Sequence, residues 1–504
     1  MLKRVLLLSA VVAVMLLAAL LWQVPWWASL SGAFLLTLAV VSLVNPFFGL
    51  SVSVFTLIIS TANLFYLVVN TLQIHLYFYY IPLLCSCAGI LTQAAVHKRK
   101  LYVRSYFMQV LLLVFVAEVV ALVWVPHFLW GAANILRLIL NIVLYYCIML
   151  LVDTERKVDI LLKTIMASAL MTSIGVVASL YYDYDIHKYL TSKLALELFF
   201  YTTRAGGIES WNQSAGLLNV ASILAAAYAV LARSRVRRFF WAGAALYFFC
   251  MMLLPASRGA LLGFLGAITI FLLIHPLTRP FFLKKTAIFI AILVLGILIT
   301  SPEYIDRLLV GFGYTGELLF SKKKSSTSSD SDATGLSTRF KIWGKGFRTM
   351  GDRPGTLLVG LGPGGFTYHA KVFEVHNVYL AFFFDVGLFG VFILAFFVFI
   401  FLSRGMPVFQ FYEARLIRPP PGVKSATKDF PTVMFFGTLT ALLAEVGIHG
   451  LVDYDLTSLV SRYVYLYLAV YDVVLRLAEA QREAAGRGSA PDPCQGAALD
   501  PPGG

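Results

Sequence analysis

Lys98-Arg99-Lys100-Leu101-Tyr102-Val103-Arg104 stands between two apolar runs, 76–96 and 105–125. Each run has the length needed to cross a bilayer as a helix, about 20 residues. Four cations packed between two such runs mark a short cytoplasmic loop, because Lys and Arg accumulate on that side of a membrane. The same alternation extends in both directions. Apolar segments fall near 5–22, 27–44, 48–71, 131–152, 158–180, 213–232, 239–255, 259–274, 284–300, 377–402, 431–450 and 456–475. Basic clusters lie at Lys3/Arg4, Arg156/Lys157, Arg233 to Arg238, Arg279 with Lys284/Lys285, Arg404 to Lys428, and Arg476 onward. The intervening gaps near 23–26, 72–75 and 126–130 carry no Lys or Arg.

This pattern predicts an all-α polytopic integral membrane protein with about 12–14 transmembrane helices and both termini cytoplasmic. Composition agrees: 60% of the 504 residues are hydrophobic, 13% are charged, and mean hydropathy is +0.82. The first run reads as an anchoring helix, since a second apolar segment follows at once. Four divisions result: helices over 1–300, an outer loop at 301–376, further helices over 377–475, and a disordered cytoplasmic tail at 476–504. Within the loop, 321–332 is Ser/Lys-rich and of low complexity. From Leu336 to Gly351, Phe340, Trp343, Phe347 and Met350 recur at helical spacing with basic residues between them, predicting an amphipathic helix on the membrane surface.

The net charge of +14 follows from these topological clusters and does not imply nucleic acid. Cys85-Ser86-Cys87 lacks metal-ligand spacing and neighbouring His residues, so no metal or cofactor is expected. Gly360-Leu361-Gly362-Pro363-Gly364-Gly365 formally matches GxGxxG, but no βαβ context surrounds it, and a tight turn is the better reading.

The cations on the outer face need another account. Arg204 ends an outer loop just before the helix opened by Trp211-Asn212, where Asn212 reads as an N-cap and the helix start favours an anion. Arg258 sits in the tight turn Pro255-Ala256-Ser257-Arg258-Gly259, close to the bilayer, where a planar guanidinium suits a pair of phosphate oxygens. Arg339 opens the amphipathic helix, where a cation opposes the helix dipole. His376, followed by Asn377, lies at the water–membrane boundary and titrates near neutrality; His369 and His449 compete with it for the role of a base. Pairing with lipid phosphate explains any one of these arginines equally well. Together they outline a site for an anionic, membrane-borne substrate such as a pyrophosphate. Arg137, one turn from Asn141 within an apolar run, is a functional candidate by its depth, with Asp153, Asp453 or Asp455 as potential partners.

Read in order, TTRAGG (202–207) with WNQSAG (211–216), SRGALLG (257–263), STRFKIWGKG (337–346), GLGPGG (360–365) and HNVYLAFFFDVGLFG (376–390) resemble the O-antigen ligase and polymerase family of bacterial envelope enzymes. The resemblance covers roughly 200–395. It implies a GT-C-like membrane fold without bound metal, in the bacterial inner membrane, with a periplasmic active site. It also implies transfer of a glycan from an undecaprenyl-pyrophosphate carrier to an acceptor, either lipid A-core or a growing glycan. Carried over by position, Arg204 and Arg258 would hold the pyrophosphate, Arg339 would assist, and His376 would deprotonate the acceptor hydroxyl. Asp385 departs from the family's more frequent Glu. A protein O-oligosaccharyltransferase shares the same donor chemistry. A lipid-linked glycan transporter is the reading from another class, and Arg137 is the residue that favours it.

Overall fold

The computed structural model describes residues 26–59, 66–69, 72–75, 79–98, 101–125, 128–181, 211–255, 257–274, 336–370, 375, 377–417, 430–451 and 462–486. The described elements are almost all helical. In chain order they are α1 (Trp26–Val44), α2 (Pro46–Ile59), β1 (Tyr66–Val69), β2 (Leu72–His75), α3 (Tyr80–His97), α4 (Met108–Ala121), α5 (Phe128–Leu151), α6 (Glu155–Tyr181) and α7 (Trp211–Leu231). Then follow α8 (Arg235–Leu253), α9 (Arg258–Ile274), α10 (Leu336–Gly351), α11 (Pro354–Val359), α12 (Gly365–Ala370), α13 (Val378–Val386), α14 (Leu388–Ile417), α15 (Phe430–Leu442) and α16 (Arg462–Gly486). Among the described residues, seven helices are long and apolar enough to cross a membrane, and four shorter apolar helices accompany them. The protein is an all-α polytopic membrane protein, and among the described residues one small hairpin, β1–β2, accompanies the helices.

Four details depart from the sequence reading. Within the apolar run 48–71, α2 covers the residues up to Ile59, while Tyr66–Val69 pairs antiparallel with Leu72–His75, Tyr66 opposite His75. Aromatic and β-branched residues favour strands, and hydropathy alone cannot separate the two states over so short a run. The segment 377–402 is broken at Gly387, whose φ of +70° only glycine adopts readily. The expected tail from 476 is helical as far as Gly486, because α16 continues through it. The end of α15 widens into a π turn, Leu443–Ile448, before a 3-10 turn, His449–Leu451.

α7 and α15 are buried along most of their length and form the centre; α8 and α14 are far more exposed. α7 packs on α8 and α15, α15 on α16, α16 on α5, and α9 on the π turn. One polar clip fixes α16 to the start of α4. Asp472 accepts hydrogen bonds from Ser105 Oγ (3.0 Å), the Tyr106 amide (3.2 Å) and the Tyr145 hydroxyl. All three donors converge on one oxygen, Oδ2, which supplies the pairing that a buried carboxylate needs.

Candidate functional site

The N-terminus of α9 is built by Ser257, whose Oγ accepts the Ala260 amide hydrogen at 3.2 Å. This cap makes Arg258 the first helical residue. One and two turns deeper, α9 meets the π turn with almost no clearance. A Cβ on Gly263 would lie 2.6 Å from the Ala444 carbonyl oxygen and 3.2 Å from His449 Cβ. The last glycine of SRGALLG is therefore a point of helix–helix contact, as small residues are in membrane bundles.

The segment around position 376 is pinned on both sides. The Val375 carbonyl accepts the Trp343 indole N–H at 2.8 Å. Asn377 has an extended backbone and caps α13, its Oδ1 accepting the Leu380 amide hydrogen at 2.9 Å. Its Nδ2 donates to the Leu451 carbonyl at 2.8 Å. Two residues on, the Tyr379 hydroxyl donates to the Val446 carbonyl at 2.7 Å, with the Gly447 carbonyl at 3.2 Å. α13 is thus laced to the same π turn that α9 rests on.

α10 spans the residues that the aromatic spacing outlined, and half-buried Arg339 lies one turn before Trp343. Only part of its apolar stripe is free for a membrane surface. Met350 is buried, and Gly346 gives Phe384 and Phe366 the space where a Cβ would stand. Phe340 and Phe347 remain substantially exposed.

GLGPGG is a structural turn. Gly360, Gly362 and Gly364 all have φ between +76° and +81°. The Leu361 amide donates to the Phe384 carbonyl (2.7 Å) and the Gly362 amide to the Asp385 carbonyl (3.0 Å), so the turn clasps the α13–α14 break. The Gly364 backbone also hydrogen-bonds Asp385. Its amides are committed to protein, which excludes the cradle role of a phosphate-binding loop.

The competing histidines have separate surroundings. His369 Nε2 lies 2.9 Å from Arg353 Nη1, and its pKa is lowered by burial and by that guanidinium. His449 and Glu445 form a buried pair, Nδ1 to Oε2 at 2.9 Å, and Asn219 Nδ2 donates to Glu445 Oε1 at 2.7 Å. Sequence reading weighed His449 only as a rival base and passed over Glu445. The four-residue spacing of an acid and a His within an apolar run was the signal available.

Arg137 donates to Asn134 Oδ1 at 3.3 Å, a neighbour on its own helix, while Asp153 pairs with Lys157. Because α7 begins at Trp211, Asn212 falls in the first turn and not at the N-cap. Arg204 and His376 lie outside the described residues. Among the described residues, no cluster of three or more His, Cys, Asp or Glu is placed to hold a metal.

Residues 243–395 match the family described as O-Antigen ligase, a stretch that contains SRGALLG, STRFKIWGKG, GLGPGG and the His376–Asn377 segment. The fold is that of a multi-pass membrane protein, and the matched stretch is similar to O-antigen ligases. The match supports an O-antigen ligase/polymerase assignment for that stretch of the chain. No curated protein matches the chain.

Proposed function

We propose that the protein transfers a glycan from undecaprenyl-pyrophosphate to a lipid A-core hydroxyl at the periplasmic face of the bacterial inner membrane. The supporting observation is convergence. Trp343 on α10, Asn377 capping α13 and Gly263 on α9 are far apart in sequence, yet Trp343 bonds Val375, Asn377 bonds Leu451 just after the π turn, and Gly263 packs on that turn.

In this reading His376 takes the proton of the acceptor hydroxyl, whose oxygen bonds to the anomeric carbon as the carbon–oxygen bond to pyrophosphate breaks. The anomeric centre inverts, and the carrier pyrophosphate leaves with the bonding electrons. Arg258 and Arg204 meet the charge growing on that leaving group, and Arg339 assists. At the start of α9, Arg258 opposes the helix dipole, an arrangement that a bound anion between them relieves. The donor is already activated by its leaving group, so the reaction calls on no nucleotide. Asn212 and Asn377 are accessory polar groups, and membrane lipids surround the site. Arg137, bonded within its own helix, has no step in the scheme.

The test is transfer by purified protein in detergent, given an undecaprenyl-pyrophosphate glycan and a lipid A-core acceptor without added nucleotide or metal. Arg258→Ala lowers turnover about 100- to 1,000-fold, the loss typical of removing one charge-stabilising donor, and His376→Ala abolishes it. Longer carrier-linked chains in place of modified lipid A-core would make the protein a polymerase. Unaltered activity in both variants would sink the site, and movement of intact carrier-linked glycan across vesicles without transfer would favour a transporter.

A further inference from the structure

The proposed chemistry makes no use of the most deeply buried polar set near the site. His449 and Asn219 are 0% exposed and Glu445 is 1% exposed. The carboxylate accepts from the imidazole on one oxygen and from the Asn219 amide on the other, at 2.9 and 2.7 Å. Two apolar side chains would fill the same volume at no desolvation cost, so a polar set here calls for a reason beyond packing.

Its location supplies one. Asn219 belongs to α7, while Glu445 and His449 belong to the π turn and the turn after it. That short stretch receives the Tyr379 hydroxyl on Val446, the Asn377 amide on Leu451, and the Gly263 backbone against Ala444 and His449. Whatever holds residues 443–451 in shape therefore sets the placement of the His376–Asn377 segment relative to the Arg258 helix. π turns are locally strained and recur at functional sites, where an extra residue re-aims neighbouring groups.

We infer that Asn219, Glu445 and His449 form a positioning unit for glycan transfer. They do not touch the substrate; they brace the π turn so that its carbonyls hold α13 and its surface holds α9. The inference rests on the transferase reading for its catalytic consequence, but its structural part can be measured without turnover.

Two readouts on full-length protein in detergent test it: kcat and KM for the carrier-linked donor, and hydrogen exchange of the amides at 377–381. His449→Leu removes the donor to Glu445. A small displacement of a reacting group costs about 10- to 100-fold, so kcat falls by that factor while KM stays within about threefold. Exchange at 377–381 quickens at least about tenfold as the brace opens. His449→Asn places an amide N–H near the position of Nδ1–H and recovers kcat to within about fivefold of the parent by the same logic. Tyr379→Phe deletes one oxygen, leaves the bundle intact, and has its effect only while His449 is present, because both act along one chain of contacts.

Wild-type kcat per folded molecule in His449→Leu, with exchange at 377–381 unmoved, overturns the inference and leaves the set a structural bolt. So does an inactive His449→Asn with native exchange, which would mean that the imidazole itself is needed. So do additive effects of Tyr379→Phe and His449→Leu. Wild-type protein that transfers no glycan counts against the transferase reading alone, and exchange in His449→Leu still decides the positioning.

Discussion

Gly360→Ala exposes how much the break between α13 and α14 depends on the glycine clasp. Gly360 has φ +81° and ψ −176°, a region essentially confined to glycine. An added Cβ would overlap the Asp385 carbonyl and approach the Val386 nitrogen well inside 3.0 Å. Both obstacles are backbone, so no side-chain rotation relieves them. Holding alanine in this conformation costs about 1–3 kcal/mol. Relieving the overlap also moves the turn away and sacrifices the Leu361–Phe384 and Gly362–Asp385 hydrogen bonds, worth about 1 kcal/mol each. The total is about 3–5 kcal/mol of local stability. At about 1.4 kcal/mol per factor of ten, amide exchange at Leu361 and Gly362 accelerates about 100- to several-thousand-fold. Hydrogen–deuterium exchange in detergent reads this directly, and Gly344→Ala supplies the control. Nothing stands within 4 Å of a Cβ there, and alanine within α10 stabilises by about 0.5–1 kcal/mol. Protection at 361 and 362 within threefold of wild type in Gly360→Ala would refute the clasp. A loss as large in Gly344→Ala would refute the reading of both glycines.

Three further outcomes are expected. Trp343→Phe keeps the ring but strands the Val375 carbonyl, which costs about 1–3 kcal/mol; limited proteolysis between α12 and α13 becomes faster and transfer falls. The lowered pKa of His369 means that the unfolded chain takes up its proton first as acidity rises. The α11–α12 contact thus keeps its full stability above pH 6.5, weakens as the pH falls below it, and puts a charged imidazole against Arg353. Exchange across 353–370, corrected for intrinsic rate, checks this, and Arg353→Gln reduces the dependence. Asp472→Asn removes the charge on which three donors converge, and a loss of about 1–3 kcal/mol appears as a lower apparent melting temperature with transfer per folded molecule intact.

The bundle was legible because its topology is written in charge. Lys98 to Arg104 falls between α3 and α4, Arg233 to Arg238 falls at the junction of α7 and α8, and the Phe340–Met350 spacing marks α10 over the residues it occupies. Features set by backbone geometry were not legible. Gly387 is one glycine among many in an apolar run, and only its φ shows that it divides α13 from α14. The strands at 66–75 share the hydropathy of the helix before them. Of the candidate site, Asn377 proved to be a joint between elements, and Arg258 the first residue of a capped helix. The first role depends on Leu451, a partner that no local pattern pairs with Asn377, whereas Ser257, directly before Arg258, is a local cap signal. The Glu445–His449 pair was missed because buried polar groups carry meaning only through the neighbours that satisfy them.

The π turn lies outside the stretch that matches the family, yet two elements of that stretch rest on it. Residues 243–395 supply α9, α10, the glycine clasp and α13, but 443–451 lie outside the matched stretch. Both α9 and the start of α13 rest on that outside segment, one through glycine-to-carbonyl contact and the other through three hydrogen bonds from Asn377 and Tyr379 to its carbonyls. A regular α-helix could not serve equally well, since its carbonyls are occupied by the next turn, whereas a widened turn leaves them open to side-chain donors. The matched residues can therefore vary little in spacing without losing this anchor. The anchor itself needs only carbonyl oxygens, which any sequence provides. What it demands in addition is a set of groups that keeps the turn widened inside an apolar bundle, and Asn219, Glu445 and His449 meet that demand with every carboxylate oxygen bonded.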